Sequence, residues 1–336
     1  MDIYLLAKPK LEPLLSKLVE KNNLVFFPSS EEEKIHFHQF KPGEKSLLAL
    51  EHIRAAEPIK HFFLKYKETV AAFTKPLVKE IPSQVIIGAK ACDLRGLDVY
   101  DKVFLEGEFF DPFYKERREK TLLISADCPK PEDTCFCVLL GLKPYPEGGS
   151  DLNITESDTG YLVEVLSDKG AKFIDEYKDF FEVAPPEELE KRDSKRQEAI
   201  KLLNEINPKP FSENLSQKVE ETKDLKFWAS ESINCVECCA CLYICPTCYC
   251  FLLYEQANEI DYKRVRIWDA CYYAAYARVG GGANPRPDFV KRFKNRFECK
   301  FNYFYKYYNF YACTGCGRCI SGCTAKINIR EILWKL

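Results

Sequence analysis

Eight cysteines in the C-terminal part of this chain fall into two copies of one spacing. Cys235, Cys238, Cys241 and Cys245 follow C-x2-C-x2-C-x3-C, with Pro246 next, and Cys313, Cys316, Cys319 and Cys323 repeat the interval. Three thiols this close force the backbone into a tight loop around one face of a metal centre. A fourth must come from elsewhere to close it. The run is that of [4Fe–4S] ligation, and where two such runs occur the fourth cysteine serves the other cluster. Crossed ligation gives one cluster Cys235, Cys238, Cys241 and Cys323, and the other Cys313, Cys316, Cys319 and Cys245.

Paired C-x2-C knuckles also build zinc sites. Each run here already has four cysteines at one cluster's spacing, which favours iron–sulfur. The two copies differ in detail. Thr324 follows the second copy where Pro246 follows the first, and Cys239 stands where the second copy has Gly317, a position at which glycine eases the turn. A C-x3-C-x2-C reading of Cys241, Cys245 and Cys248 overlaps the first copy and would take its ligands. It is read as coincidence.

With 17 cysteines and one methionine in 336 residues, the thiols are concentrated in short loops, which fits metal ligation in a reducing compartment better than a disulfide framework. The length suits two domains. No secretory leader pattern and no run of about 18 apolar residues is visible, so a cytoplasmic protein without a membrane span is expected. Charge is uneven: 15 basic against 8 acidic residues from Cys235 onward, and 34 against 43 before it. The basic stretch Lys291, Arg292, Lys294 and Arg296, interleaved with aromatics, resembles a nucleic-acid footprint. Negative cysteine-bound clusters supply a simpler reason for it, and no nucleic-acid partner is expected. His36, His38, His52 and His61 all precede the first cysteine and carry no motif.

The pattern reads as α+β. Residues 1–182 form an α/β domain, 183–234 a helical connector, and 235–336 a bacterial two-[4Fe–4S] ferredoxin-like domain with a long insertion at 249–312. The apolar runs at Val85–Ile87 and Leu122–Ile124 read as buried strands. They end just before Cys92 and Cys128, at the sheet edge where α/β folds place their sites. Asp93 is expected to cap a helix through Phe104. DLNITE and GYLVEVLS read as a hairpin. EELEKRDSKRQEAIKLLNEI reads as a helix, with a second at about 220–230. VRIWDACYYAAYARV reads as a further helix, closed by Gly280–Gly282.

Nine cysteines lie outside the two runs. Cys92, Cys128, Cys135 and Cys137 form one quartet and Cys248, Cys250, Cys271 and Cys299 another, each with a C-x-C pair and two distant singles. A cluster, a zinc ion, a redox-active thiol set and buried unliganded cysteines all remain open for both. Cys239 is left as an unliganded spare. The expected cofactors are therefore two [4Fe–4S] clusters, with a third and a fourth as further candidates.

The ordered segments IIGAKACDLRGLDVYDKVFL, DPFYKERREKTLLISADC, TCFC, CVECCACLYICPTCYCF, RIWDACYYAAYARVGGGANPRP and CTGCGRCISGC span nearly the whole chain. Together they resemble the β subunit of cytoplasmic sulfhydrogenases and the A subunit of anaerobic sulfite reductases. The resemblance implies an iron–sulfur relay between a flavin subunit that uses NAD(P)H, or a ferredoxin-linked one, and a catalytic subunit of [NiFe] hydrogenase or sulfite reductase type. It also places both quartets on family cysteine positions. Arg318 is a candidate for tuning a cluster through nearby contacts. Two rival functions are a cluster- or thiol-based disulfide or heterodisulfide reductase and a zinc-stabilised interaction protein. No nucleophile or proton-donor constellation is visible, so a non-catalytic subunit of an oxidoreductase complex is expected.

Overall fold

The computed structural model describes residues 2–31, 34–43, 48–73, 80–257 and 260–336. Its strands are β1 (Ile3–Ala7), β2 (Leu24–Glu31), β3 (Lys34–Gln39), β4 (Lys67–Ala72), β5 (Gln84–Ala89), β6 (Thr121–Ala126), β7 (Leu152–Glu156), β8 (Gly160–Val165), β9 (Phe181–Val183), β10 (Phe251–Ala257) and β11 (Tyr262–Trp268). Eight of them form one mixed sheet in the order β3-β2-β5-β6-β7-β8-β1-β9. Strands β2, β5, β6 and β7 run parallel at its centre, and the others pair antiparallel.

The two apolar runs singled out in the sequence are β5 and β6, and every residue of both is buried. Alternation divides them between two cores. Val85, Ile87, Leu122 and Ile124 pack on one face with the helix Lys8–Glu20, while Ile86 and Leu123 pack on the other with the helix Ala91–Phe104. Each such side chain contributes about 1.5–3 kcal/mol on burial. The sheet thus holds the ends of β5 and β6, and with them Cys92 and Cys128, on a rigid edge. Asp93 does not cap the helix. The helix starts at Ala91 after an extended Lys90, and the Asp93 carboxylate is taken by Arg318 at 2.9 Å.

β7 and β8 form the expected antiparallel hairpin, followed by the helix Asp168–Glu176 with Ser167 as its cap. The connector helix spans Pro186–Ile206, opened by proline and by Glu187 and Glu188 in its first turn. It is clamped to the sheet: Arg192 pairs with Glu164 at 2.8 Å and Arg196 with Asp127 at 2.7 Å. The second expected helix is split into Leu215–Glu221 and Leu225–Ser232, with Asp224 capping the latter.

The segment VRIWDACYYAAYARV is not a helix. Val265–Trp268 belongs to β11, and turns follow it. Here Val265 and Ile267 alternate with Arg264 and Arg266, a strand period that pairing on both sides of β11 enforces over local helical composition. Gly280–Gly282 makes a tight turn with positive φ at Gly281 and Gly282, not a helix cap. Strand β11 pairs with β10 and with β4, so a three-stranded sheet joins chain segments nearly 200 residues apart. A helical run follows, Phe289–Phe297 and Phe304–Tyr308, widened to π geometry at Glu298–Tyr303 between them.

A buried ion network seals this small sheet to the large one. Glu68 on β4 accepts from Arg117 of the helix Pro112–Glu119 and from Arg266 of β11, and Arg266 also pairs with Asp111. Glu68→Ala leaves two buried guanidinium groups short of a partner. The expected cost is about 3–5 kcal/mol in anaerobic chemical denaturation. A loss below about 1 kcal/mol would show that the network does not hold the two sheets together.

Candidate iron–sulfur centres

The two cysteine loops have the same backbone. Glu237 and Cys239 lie at φ +53° and +61°, and the matching Gly315 and Gly317 at +60° and +74°. Each loop then turns into a four-residue helix, Ala240–Tyr243 or Arg318–Ser321. A left-handed residue with a side chain costs about 1–2 kcal/mol, which the first copy bears at two positions. The second copy uses glycine for a further reason. A Cβ on Gly315 would lie 2.5 Å from the Cys137 nitrogen, and one on Gly317 would lie 2.5 Å from the Thr134 oxygen. The loop Cys313–Cys319 is thus pressed backbone to backbone against the loop that carries Cys135 and Cys137, and Phe136 donates its N–H to the Gly315 carbonyl at 2.8 Å.

Among the described residues, three cavities are bordered by four or more cysteines each. One, of about 410 Å³, is bordered by Cys235, Cys238, Cys241 and Cys323. A second, of about 290 Å³, is bordered by Cys245, Cys313, Cys316 and Cys319. The third, of about 360 Å³, is bordered by Cys92, Cys128, Cys135 and Cys137. Cys319 and Arg296 belong to the walls of both the first and the second, and Cys316 to the walls of both the second and the third. Among the described residues no three His, Cys, Asp or Glu side chains converge closely enough to hold a single metal ion. Cys239 is buried on the wall of the first cavity, and its thiol points back to the Glu237 carbonyl at 3.4 Å.

The last quartet is gathered by the hairpin. Phe251 pairs with Trp268, so the chain entering β10 and the chain leaving β11 lie side by side, and Asp269 donates its N–H to the Cys250 carbonyl at 2.9 Å. Cys250 and Cys271, like Cys245 and Cys248, lie close enough for each thiol to shift the other's titration. Cys299 is 3.9 Å from the Tyr249 hydroxyl.

Buried cations surround these cysteines. Arg296 lies between the first two cavities, and its Nε and Nη2 have no hydrogen-bond partner among the described residues. Arg54 and Lys90 line the third cavity, and Lys90 donates to the Leu50 and Asp127 carbonyls, at 2.7 and 2.5 Å. Arg318 pairs with Asp93 and donates to the Ala55 carbonyl at 3.0 Å, tying the second loop to the N-terminal segment. Burial pushes all four thiols of the third cavity up, Cys135 to about 11. Burial lowers the Lys60 ammonium to about 8, with Cys248 and Cys245 opposing the shift. For Lys300 the desolvation penalty is outweighed by Cys245, Cys248, Cys313 and Cys299, and its pKa is raised. Desolvated positive charge, unpaired guanidinium nitrogens and cavities walled by sulfur fit cysteine-bound clusters, which are anionic.

The basic stretch at 291–300 is therefore divided: Lys291 and Lys294 stay partly exposed and pair with Asp288 and Glu298, and its other cations face inward. Arg292, Arg296 and Lys300 are buried at four-residue intervals beside Phe293, Phe297 and Phe301, one helical face apart. Arg54, Lys60 and Lys90 gave no signal in the sequence, because each is a single cation among ordinary neighbours.

A chain with this repeated loop and these sulfur-lined spaces is an iron–sulfur protein of the dicluster kind, and residues 234–327 match the 4Fe-4S dicluster domain. It is also 32% identical, over 295 residues, to the sulfhydrogenase 2 subunit beta of Pyrococcus furiosus, a match that covers 85% of this chain and 84% of that protein. The chain belongs to the sulfhydrogenase β-subunit family, as its ordered motifs implied, and is an electron-transfer protein with two [4Fe–4S] clusters in its C-terminal domain. Among the described residues no helix is long and apolar enough to cross a membrane.

Gly315→Ala tests the contact between the loops. The added methyl meets Cys137 and Phe136 backbone atoms at 2.5–2.6 Å. Overpacking and left-handed strain together predict a loss of at least about 2 kcal/mol in anaerobic unfolding. An unchanged midpoint would mean that the two loops part freely.

Proposed function

We propose that this chain passes single electrons between a flavin-bearing subunit that uses NAD(P)H and a catalytic subunit of the hydrogenase kind indicated by its relative's name. In this reading Cys235, Cys238, Cys241 and Cys323 hold one cluster and Cys245, Cys313, Cys316 and Cys319 the second. Cys92, Cys128, Cys135 and Cys137 hold a third. The observation that carries the reading is the shared walls: Cys319 and Arg296 border two of the sulfur-lined cavities, and Cys316 borders the next pair. Such contiguity gives an electron a protein path from the first loop into the α/β part of the fold.

The clusters supply one-electron chemistry when bound. The protein's part is to hold them and set their potentials through burial, nearby cations and N–H groups. Cys238 is exposed, and Ile233 and Val236 beside it are exposed apolar residues, so this edge suits contact with a partner subunit.

Cysteine substitution tests the assignment. Cys245→Ser and Cys313→Ser should alter the same electron paramagnetic resonance signal, and Cys323→Ser should alter the one that Cys235→Ser alters. Grouping of Cys245 with Cys235 would sink crossed ligation. Cys135→Ser should cost about four iron atoms per chain, and Cys239→Gly none. Size exclusion of gently lysed anaerobic extract should place the chain in a larger, flavin-containing assembly. A free monomer that takes electrons from NAD(P)H unaided would contradict the relay.

A further inference from the structure

Lys300 is 4% exposed, and its three ammonium protons are all spent: on Cys245 Sγ at 3.2 Å, on Thr247 Oγ1 at 2.7 Å and on the Ala312 carbonyl at 3.2 Å. None of these acceptors is a carboxylate. Lys60 is 3% exposed and approaches from the other side. It donates to the Cys248 carbonyl at 3.1 Å and the Leu242 carbonyl at 3.4 Å, and lies 4.4 Å from the centre of the Trp268 ring. The Tyr100 hydroxyl donates to the same Cys248 carbonyl at 2.5 Å. Neither lysine pairs with a carboxylate among the described residues. Two ammonium groups taken out of water without a carboxylate partner are costly, and proteins keep such groups where other anionic charge offsets them. The sulfurs that act on them are Cys245 and Cys313, of the second ferredoxin set, and Cys248, Cys250 and Cys299 of the quartet.

The backbone is shaped to the same end. Lys300 and Cys299 sit in the π-wide segment Glu298–Tyr303, so one irregular turn brings a thiol to the quartet and an ammonium to Cys245. Such π-bulges occur frequently at functional sites, where an inserted residue re-aims neighbouring side chains. The hairpin delivers the other three cysteines from opposite sides, and Cys248 follows Cys245 by three residues, so the two sets adjoin along the chain.

We infer that Cys248, Cys250, Cys271 and Cys299 form a further iron–sulfur site adjoining the Cys245, Cys313, Cys316 and Cys319 site, and that Lys300 is a positioning residue whose charge the two share. The inference rests on the reading of the second ferredoxin set as a cluster. A single electron arriving at either set from a one-electron carrier of a partner adds one negative charge beside Lys300. No bond forms or breaks and no proton has to move. The shared cation favours that added charge at both sets, so its removal should make both harder to reduce.

The test uses the full chain, purified anaerobically, with iron and acid-labile sulfide analysis and potentiometric titration followed by electron paramagnetic resonance. Cys271→Ser should remove about four iron atoms per chain and leave the second ferredoxin signal present. With one anionic neighbour gone, the potential of that remaining centre should rise. Lys300→Met should keep its iron and shift both one-electron equilibria toward the oxidised form by at least tenfold, 59 mV for one electron. Lys300→Arg, which keeps the charge, should recover most of the shift. A merely structural lysine would cost iron or stability without moving a potential. If Lys300→Met does not fold, Cys271→Ser decides alone. Unchanged iron in Cys271→Ser, with the second ferredoxin signal intact, overturns the quartet site. Absence of that signal from the wild-type chain overturns the underlying reading instead.

Discussion

Buried positive charge with too little carboxylate to meet it is the constraint on which this structure depends. Arg296 lies between two sulfur-lined cavities with two guanidinium nitrogens unsatisfied, and among the described residues Lys60 and Lys300 meet carbonyl, hydroxyl, thiol and aromatic-ring partners but no carboxylate. An uncompensated buried cation costs several kcal/mol, and a fold that carries several of them cannot draw its stability from protein groups alone. Where carboxylates do meet buried cations, as in Arg318 with Asp93 or Glu68 with Arg117 and Arg266, the pair joins parts of the chain remote in sequence. The first kind of cation serves the sulfur sites and the second serves assembly of the fold.

Assembly also explains why the second cysteine loop needs two glycines and the first does not. Both loops use the left-handed conformation at the same two places. The first has Glu237 and Cys239 there, with the Glu237 carboxylate paired to Arg292 at 3.0 Å and Cys239 buried. The second has Gly315 and Gly317 because Thr134–Cys137 occupies the space a side chain would need. Gly96 tells the same story: a Cβ there would lie 2.9 Å from Pro246, so the helix behind Cys92 is held tightly to the segment after Cys245.

Short-range pattern made much of this legible. Fixed intervals disclose the cysteine loops, and apolar β-branched runs disclose β5 and β6 with Cys92 and Cys128 at their ends. The β7–β8 hairpin follows from alternation. Pairing of β4 with β11 is not encoded locally, since neither strand contains a turn or motif that points to the other. The helical reading of residues 265–279 failed for that reason: Val265, Arg266, Ile267 and Trp268 suit either structure until a partner strand is present. Buried cations are equally silent, because burial of a lone Lys60 or Lys90 is decided by tertiary packing and leaves no trace among its neighbours.

If Cys92, Cys128, Cys135 and Cys137 hold the proposed third cluster, the electrostatics also link its loading to folding. Burial raises the thiols of Cys92, Cys128, Cys135 and Cys137, so at neutral pH the metal-free cavity holds neutral sulfur beside Arg54 and Lys90. Binding requires thiolates, and their protons must leave. The same event that costs deprotonation would add negative charge beside Arg54, which otherwise meets Glu132 at 3.7 Å, and beside Lys90. Proton release and charge compensation therefore occur together, and a metal site of this kind adds its binding energy to the stability of the surrounding fold. Lower pH opposes the first step, which places the most acid-sensitive part of the molecule where cysteine, arginine and lysine are buried side by side.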